Sequence, residues 1–179
     1  MNKAKYIAIA AITLDGKIAK DKNHMSDWTS KEDKVFMRAL LDKCGVIIVG
    51  NNTYKTAIKP LSKRNCLVLT KQVPSPGLGR ARERSNAGNP QYVNPNKTNL
   101  KKLITKLKYR KVAILGGAQT YAYCLKNNIL DELYLTIEPL VFGKGINLFG
   151  DDSLNKNFKL ISTKKLNNKG SLLLKYKKL

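Results

Sequence analysis

Nearly unbroken apolar runs recur along the chain at residues 6–12, 46–49, 66–69, 112–115 and 133–137. Strands covered on both faces read this way, which marks a parallel sheet. Between these runs, apolar positions fall at helical spacing over residues 31–43, 100–107 and 118–126. Strands alternating with helices predict an α/β fold. The end of the chain differs: residues 158–163 and 171–176 flank Asn167-Asn168-Lys169-Gly170, a turn suited to an antiparallel hairpin. The central sheet is therefore expected to be mixed but mostly parallel, with flanking helices and a C-terminal antiparallel hairpin. Residues 74–99, rich in Pro, Gly, Asn and Arg, read as one long surface loop. No internal repeat is visible, and 179 residues suit a single domain spanning 1–179.

Charge changes this picture less than its size suggests. The net charge is +22, and a basic balance of that kind invites a nucleic-acid reading. Arg supplies only six of the 34 basic residues, and the Lys are scattered over most of the chain. Nucleic-acid readers rely more on clustered Arg and on interleaved aromatic platforms. A basic binding domain without catalysis stays as the rival from another class. The favoured reading is a soluble protein whose field steers an anionic small molecule. Arg80, Arg82 and Arg84 sit together in the long loop, as a solvated charge run or a phosphate-contacting flap.

Cys44, Cys66 and Cys124 form an odd set without metal or disulfide spacing, as expected of buried thiols in the cytoplasm. Lys3 and Lys5 before the first apolar run imitate a signal peptide. The run is brief and lacks a cleavage site after it, so a first buried strand accounts for it better. No segment approaches membrane-spanning length, and no metal cluster is evident. His24 reads as a loop residue.

Two places carry candidate chemistry. The run 112–115 breaks at Gly116-Gly117 and reopens as a helix, so glycines lead into a helix N-terminus that offers free N–H groups to a phosphate. A tight strand-to-helix turn without a ligand explains the same residues. The second place is the helix at 31–43, where Phe36, Met37, Leu40 and Cys44 share a face with Asp33 in its midst. A carboxylate among apolar groups is costly without a partner. Helix capping is the other explanation, although Thr29 with Glu32 can already form a capping box.

These blocks, taken in order, resemble the dihydrofolate reductase family. Trp28, Asp33, Phe36-Met37, 46–50 with Thr53, 60–64 leading into 66–70, Ile114-Leu115-Gly116-Gly117-Ala118-Gln119-Thr120-Tyr121 and Leu133-Tyr134-Leu135-Thr136 follow the family order over roughly three-quarters of the chain. Ile9–Ala11 and 14–19 are similar to the family's first strand and active-site loop. The resemblance implies an NADPH-dependent enzyme reducing dihydrofolate to tetrahydrofolate, with hydride delivered to C6 and a proton to N5. Asp33 would be the pterin-binding acid, supported by Thr136. Ile9, Ala11, Trp28, Phe36, Met37 and Leu115 would line the substrate pocket, and Arg64 would hold the folate carboxylate. Ala11, Ile18, Gly50, Asn51, Asn52, Thr53, Leu69, Thr70, Lys71, Leu115, Gly116, Gly117, Ala118, Gln119, Thr120 and Tyr121 would surround the cofactor. The resemblance also implies a cis peptide between Gly116 and Gly117.

Some residues depart from that pattern. Asn51-Asn52 and Gln119 stand where basic residues often meet the 2′-phosphate, which leaves Lys71 or the Arg80–Arg84 run to supply the charge. Thr29-Ser30 and residues 139–149 (PLVFGKGINLF) look more like the riboflavin-pathway pyrimidine reductases, which act on 5-amino-6-(5-phosphoribosylamino)uracil. By that resemblance, those enzymes carry no Asp at the Asp33 position. Folate reduction is therefore placed first and pyrimidine reduction second. A monomer or homodimer is expected, and an inactive family member is a further alternative.

Overall fold

The computed structural model describes residues 3–72, 90–151 and 153–179. The Arg80, Arg82 and Arg84 run lies outside the described residues.

The apolar runs form one eight-stranded sheet. In chain order its strands are β1 (Lys5–Ile12), β3 (Val46–Gly50), β4 (Cys66–Leu69), β5 (Pro90–Val93), β6 (Lys111–Ile114), β7 (Glu132–Ile137), β9 (Phe158–Lys165) and β10 (Leu172–Lys178). They lie side by side in the order β5-β4-β3-β6-β1-β7-β10-β9. The first six in that order are parallel, and the β9–β10 hairpin closes the far side antiparallel to β7. A separate two-stranded ribbon pairs β2 (Lys17–Ala19) with β8 (Ile146–Asn147).

The lack of alternation in the runs now has its physical cause. On one face of the sheet, Ile7, Ile9, Ile47, Val49 and Val68 pack against Leu40 and Leu41 of α1 (Lys31–Asp42). On the other, Ala8, Val46, Ile48, Leu67 and Ile114 pack against α4 (Leu100–Lys106) and α5 (Ala118–Lys126). Both faces of each central strand leave water, so both must be apolar. Truncating Ile48, which is fully buried, to Ala is expected to cost about 2–5 kcal/mol.

Three local readings need correction. The stretch read as one loop contains β5, a four-residue strand paired in parallel with β4. It begins with Pro90, and Pro is tolerated at the start of an edge strand, so composition alone disguised it. Two short helices, α2 (Asn51–Thr56) and α3 (Ile58–Leu61), follow β3. Each buries a single side chain, Tyr54 and Leu61, which is too little to show a helical period. Finally, the N-cap of α1 is Ser30, whose hydroxyl accepts from the Asp33 N–H at 3.2 Å. The expected Thr29–Glu32 box does not form: Glu32 instead accepts from Asn167.

Candidate active site

The carboxyl ends of parallel strands are where α/β sheets bind ligands, and here two helices start at that edge. β3 ends in Gly50, the N-cap of α2, and β6 leads through Gly116 to Gly117, the N-cap of α5. Neither helix has a side-chain cap, so first-turn N–H groups stay available to an outside acceptor. The Gly50 N–H donates to the Gly116 carbonyl at 2.7 Å, and the Gly116–Gly117 peptide is cis.

Glycine is required here by contact as well as by conformation. Gly116 sits at φ +97°, and a Cβ there would stand 2.9 Å from the Tyr121 ring. A Cβ on Gly50 would meet the Thr120 hydroxyl at 2.8 Å, and one on Gly117 would meet the Thr53 hydroxyl at 3.2 Å. The cradle fits a phosphate group, because bare N–H groups and absent side chains let an anion reach the backbone. Tyr121 is buried, donates its hydroxyl to the Ile9 carbonyl and packs edge-on to Phe149. Burial, with the neighbouring Asp33 charge, pushes its phenol well above the usual range.

Around this cradle lie other expected cofactor residues. Leu69, opposite Gly50 in the β3–β4 register, Thr70 and exposed Lys71 close the end of β4. Asn51 and Thr53 are half-buried, whereas Asn52 and Gln119 are exposed. Ile18 belongs to the β2–β8 ribbon, which holds the loop after β1 against residues 140–147. Asp15 reinforces that clasp by accepting from the Thr13 hydroxyl at 2.5 Å and the Gly143 N–H at 2.8 Å.

Asp33 lies in the first turn of α1 and is 6% exposed. Thr136 of β7 and Thr29 hydrogen-bond its side chain. Its carboxyl is nonetheless held above the ordinary value, chiefly by burial and further by the Glu138 charge, against the pull of the two threonines and Lys34. Ala11 pairs with Thr136 across β1 and β7. Phe36, Met37 and Leu115 are half-buried beside Ile9, with the Phe36 ring 5.5 Å from Tyr134. Trp28 stacks edge-on to Phe142 at 5.1 Å, and its indole N–H is buried without a partner. The arrangement offers a protonatable acid, an apolar wall and an indole donor to a flat, nitrogen-bearing ring.

Arg64 is elsewhere. It precedes β4, at the amino ends of the strands, and bonds Asp42 at 2.6 Å. The structure does not gather it with the residues of the glycine edge. Sequence reasoning also passed over Glu138 and Ser171, which are 3% and 1% exposed. Glu138 accepts from the Ser30 N–H at 2.8 Å and from the Ser171 hydroxyl at 2.5 Å. The available signal was its place two residues after Thr136, on the same strand face.

The sequence matches the RibD C-terminal domain family over residues 4–172. The chain belongs to that family. A curated relative, the uncharacterized protein YwjB of Bacillus subtilis (strain 168), is 24% identical over 168 residues, covering 89% of this chain and 91% of that protein. Solved structures with the same fold include a pyrimidine reductase-like protein from Corynebacterium diphtheriae, with a TM-score of 0.74 and 19% identity over 99% of this chain and 93% of that one. A diaminohydroxyphosphoribosylaminopyrimidine deaminase/5-amino-6-(5-phosphoribosylamino)uracil reductase from Thermotoga maritima aligns with a TM-score of 0.74 and 16% identity, over 99% of this chain and 57% of that one. Dihydrofolate reductase from Enterococcus faecalis gives a TM-score of 0.66 and 19% identity over 97% and 96%. The RibD-type chain is thus an oxidoreductase of the dihydrofolate reductase-like fold. The family match favours the pyrimidine-reductase alternative over the dihydrofolate reading placed first on sequence. Among the described residues, no helix is long and apolar enough to cross a membrane and no group of side chains could hold a metal ion.

Proposed function

We propose that this chain is an NADPH-dependent reductase of the riboflavin-pathway kind, acting on 5-amino-6-(5-phosphoribosylamino)uracil. The observation that carries the reading is one sheet edge with two uncapped helix N-termini; the buried Asp33 beside it departs from the pattern expected of those reductases and is read as this chain's own acid. Family membership supports the choice of substrate class.

Gly117, Ala118 and Thr53 would hold the cofactor pyrophosphate through backbone N–H groups and the Thr53 hydroxyl, with Tyr121 closing the pocket beneath. When bound, the cofactor supplies a hydride. The ribose ring first opens: the C1′–O4′ bond breaks as the exocyclic N–H proton passes to O4′, which leaves a carbon–nitrogen double bond, and the electron pair then goes to C1′ while a proton goes to the nitrogen. Asp33, retaining its proton to higher pH than an exposed carboxyl, suits the donor's task. Thr136 and Thr29 orient it, while Phe36, Met37 and Leu115 exclude water from the ring. The +22 charge favours capture of a phosphorylated substrate.

The Asp33–Thr136 pair favours dihydrofolate as a second reading, because a carboxylate beside a threonine suits the edge of a pterin. Purified protein, given each substrate with NADPH and then NADH, separates the readings through loss of the reduced nicotinamide absorbance. Turnover with the pyrimidine alone supports the proposal, and turnover with dihydrofolate alone supports the second reading. Failure with both sinks the two together.

A further inference from the structure

Glu138 is a second buried carboxylate beside Asp33, and the chemistry above gives it no task. It follows β7 directly, with its N–H donating to the Ile12 carbonyl at 2.8 Å. Among the described residues, no Lys or Arg forms an ion pair with it. Its oxygens are held by the Ser30 N–H at 2.8 Å and the Ser171 hydroxyl at 2.5 Å. A buried anion served by two neutral donors is costly to keep for stability alone.

Its partners lead to Asp33 by two routes. Ser30 caps α1, and the same residue whose N–H is bound by Glu138 uses its hydroxyl to accept from the Asp33 N–H at 3.2 Å. Ser171 is held in turn by Asn167, whose amide donates to the Ser171 hydroxyl at 2.9 Å and to Glu32 at 3.2 Å. The hairpin turn between β9 and β10 is thereby tied to the first turn of the helix that presents Asp33. The second route is through space. The charged and titratable groups around Asp33 are Glu138 beyond β7, Lys34 on its own helix and the Tyr121 phenol of α5. Lys34 favours the Asp33 anion and Glu138 opposes it.

We propose that Glu138 is a positioning residue of the reductase site, fixing through Ser30 and Ser171 the α1 cap that aims Asp33 and setting a second carboxylate beside it. This rests on the reading of Asp33 as the proton donor. The role explains why an acid is buried at this point of the strand, where a neutral side chain would be less costly.

The test is a carbon-13 NMR titration of the Asp33 carboxyl in the full-length protein, which needs no substrate. E138Q keeps the shape: its amide oxygen can still accept from Ser30 and its NH2 can donate to the Ser171 hydroxyl. Losing the charge is expected to move the Asp33 midpoint to lower pH. Each unit of that movement lowers the acid fraction about tenfold at pH above the midpoint. The high-pH fall of turnover should move by the same amount. E138D retains the charge and is expected to hold the midpoint near its wild-type position, which also covers the case in which E138Q fails to fold. An unmoved midpoint in E138Q, or in E138D the movement expected of a neutral variant, overturns the proposal. If neither substrate is turned over but the midpoint moves as expected, the proposed reaction fails and the role of Glu138 toward Asp33 stands.

Discussion

The two edges of the parallel sheet treat charge in opposite ways. At the amino edge, charged groups find partners. Arg64 bonds Asp42 at 2.6 Å, Glu132 accepts from Lys5 at 2.9 Å and Lys175 at 3.4 Å, and Asp131 accepts from the Tyr6 N–H at 2.9 Å. Glu132 is accordingly held below the ordinary carboxylate value despite its burial. At the carboxyl edge, Asp33 and Glu138 are buried with hydroxyl and amide donors, and two helices begin without side-chain caps. The first edge is arranged for the fold. The second leaves the first-turn N–H groups of two helices without side-chain partners, the arrangement the proposed site would use.

Substitutions can break this contrast, and the largest effect belongs to Asp33. D33N should keep the fold and lose on the order of a hundredfold or more in turnover, because an amide cannot deliver the proton. Steady-state rates with NADPH check this, and turnover near wild type would remove Asp33 from the chemistry. The same variant should be more stable at neutral pH. A carboxyl with a raised folded-state pKa contributes stability fully below its unfolded pKa and loses that contribution as pH rises through the folded value. An amide has no such loss. A gain in Tm is expected by calorimetry at neutral pH and should vanish in acid.

G116A comes next. A left-handed backbone costs an L-residue about 1–2 kcal/mol, and the new methyl would press on the Tyr121 ring at 2.9 Å. NADPH affinity, read by quenching of the lone Trp, should fall at least about tenfold, the equivalent of 1.4 kcal/mol. Retained affinity would show that the glycine turn is not the phosphate cradle.

T136V removes a hydroxyl from a side chain 1% exposed while keeping its shape. The lost hydrogen bond, worth about 1.5–3 kcal/mol at a charged group, had favoured the Asp33 anion. The Asp33 limb of the pH–rate profile should therefore move to higher pH, and a move to lower pH would contradict the account. The smallest effect is expected at the other edge. R64A breaks a pair whose Asp42 side chain is 64% exposed, so the stability loss should stay within about 1 kcal/mol. Denaturant melts and KM measurements check it, and a large rise in substrate KM would return Arg64 to the binding site.

How much of this was legible from the residues follows from what each region buries. Runs such as 46–49 and 66–69 announce their strands because both faces are covered, and the α1 face announces itself through Phe36, Met37 and Leu40. Asp33 stands out for the same reason, as an acid where the pattern calls for an apolar group. Gly116-Gly117 is visible because both residues lack side chains at a strand end. Helix α2 and strand β5 were hidden, since one buried side chain or an initial Pro leaves no periodic trace. Glu138 was missed because its role depends on Ser30 and Ser171, which are 108 and 33 residues away. Folding brings them together, and locally only its place two residues after Thr136 pointed to it.

The most direct test of the central claim is a single turnover with NADPH carrying deuterium at nicotinamide C4 and 5-amino-6-(5-phosphoribosylamino)uracil. The account predicts deuterium on the sugar carbon of the product with a primary isotope effect in the wild-type protein, and the transfer slowed by about a hundredfold or more in D33N. Product without deuterium, or equal transfer in both proteins, would contradict it.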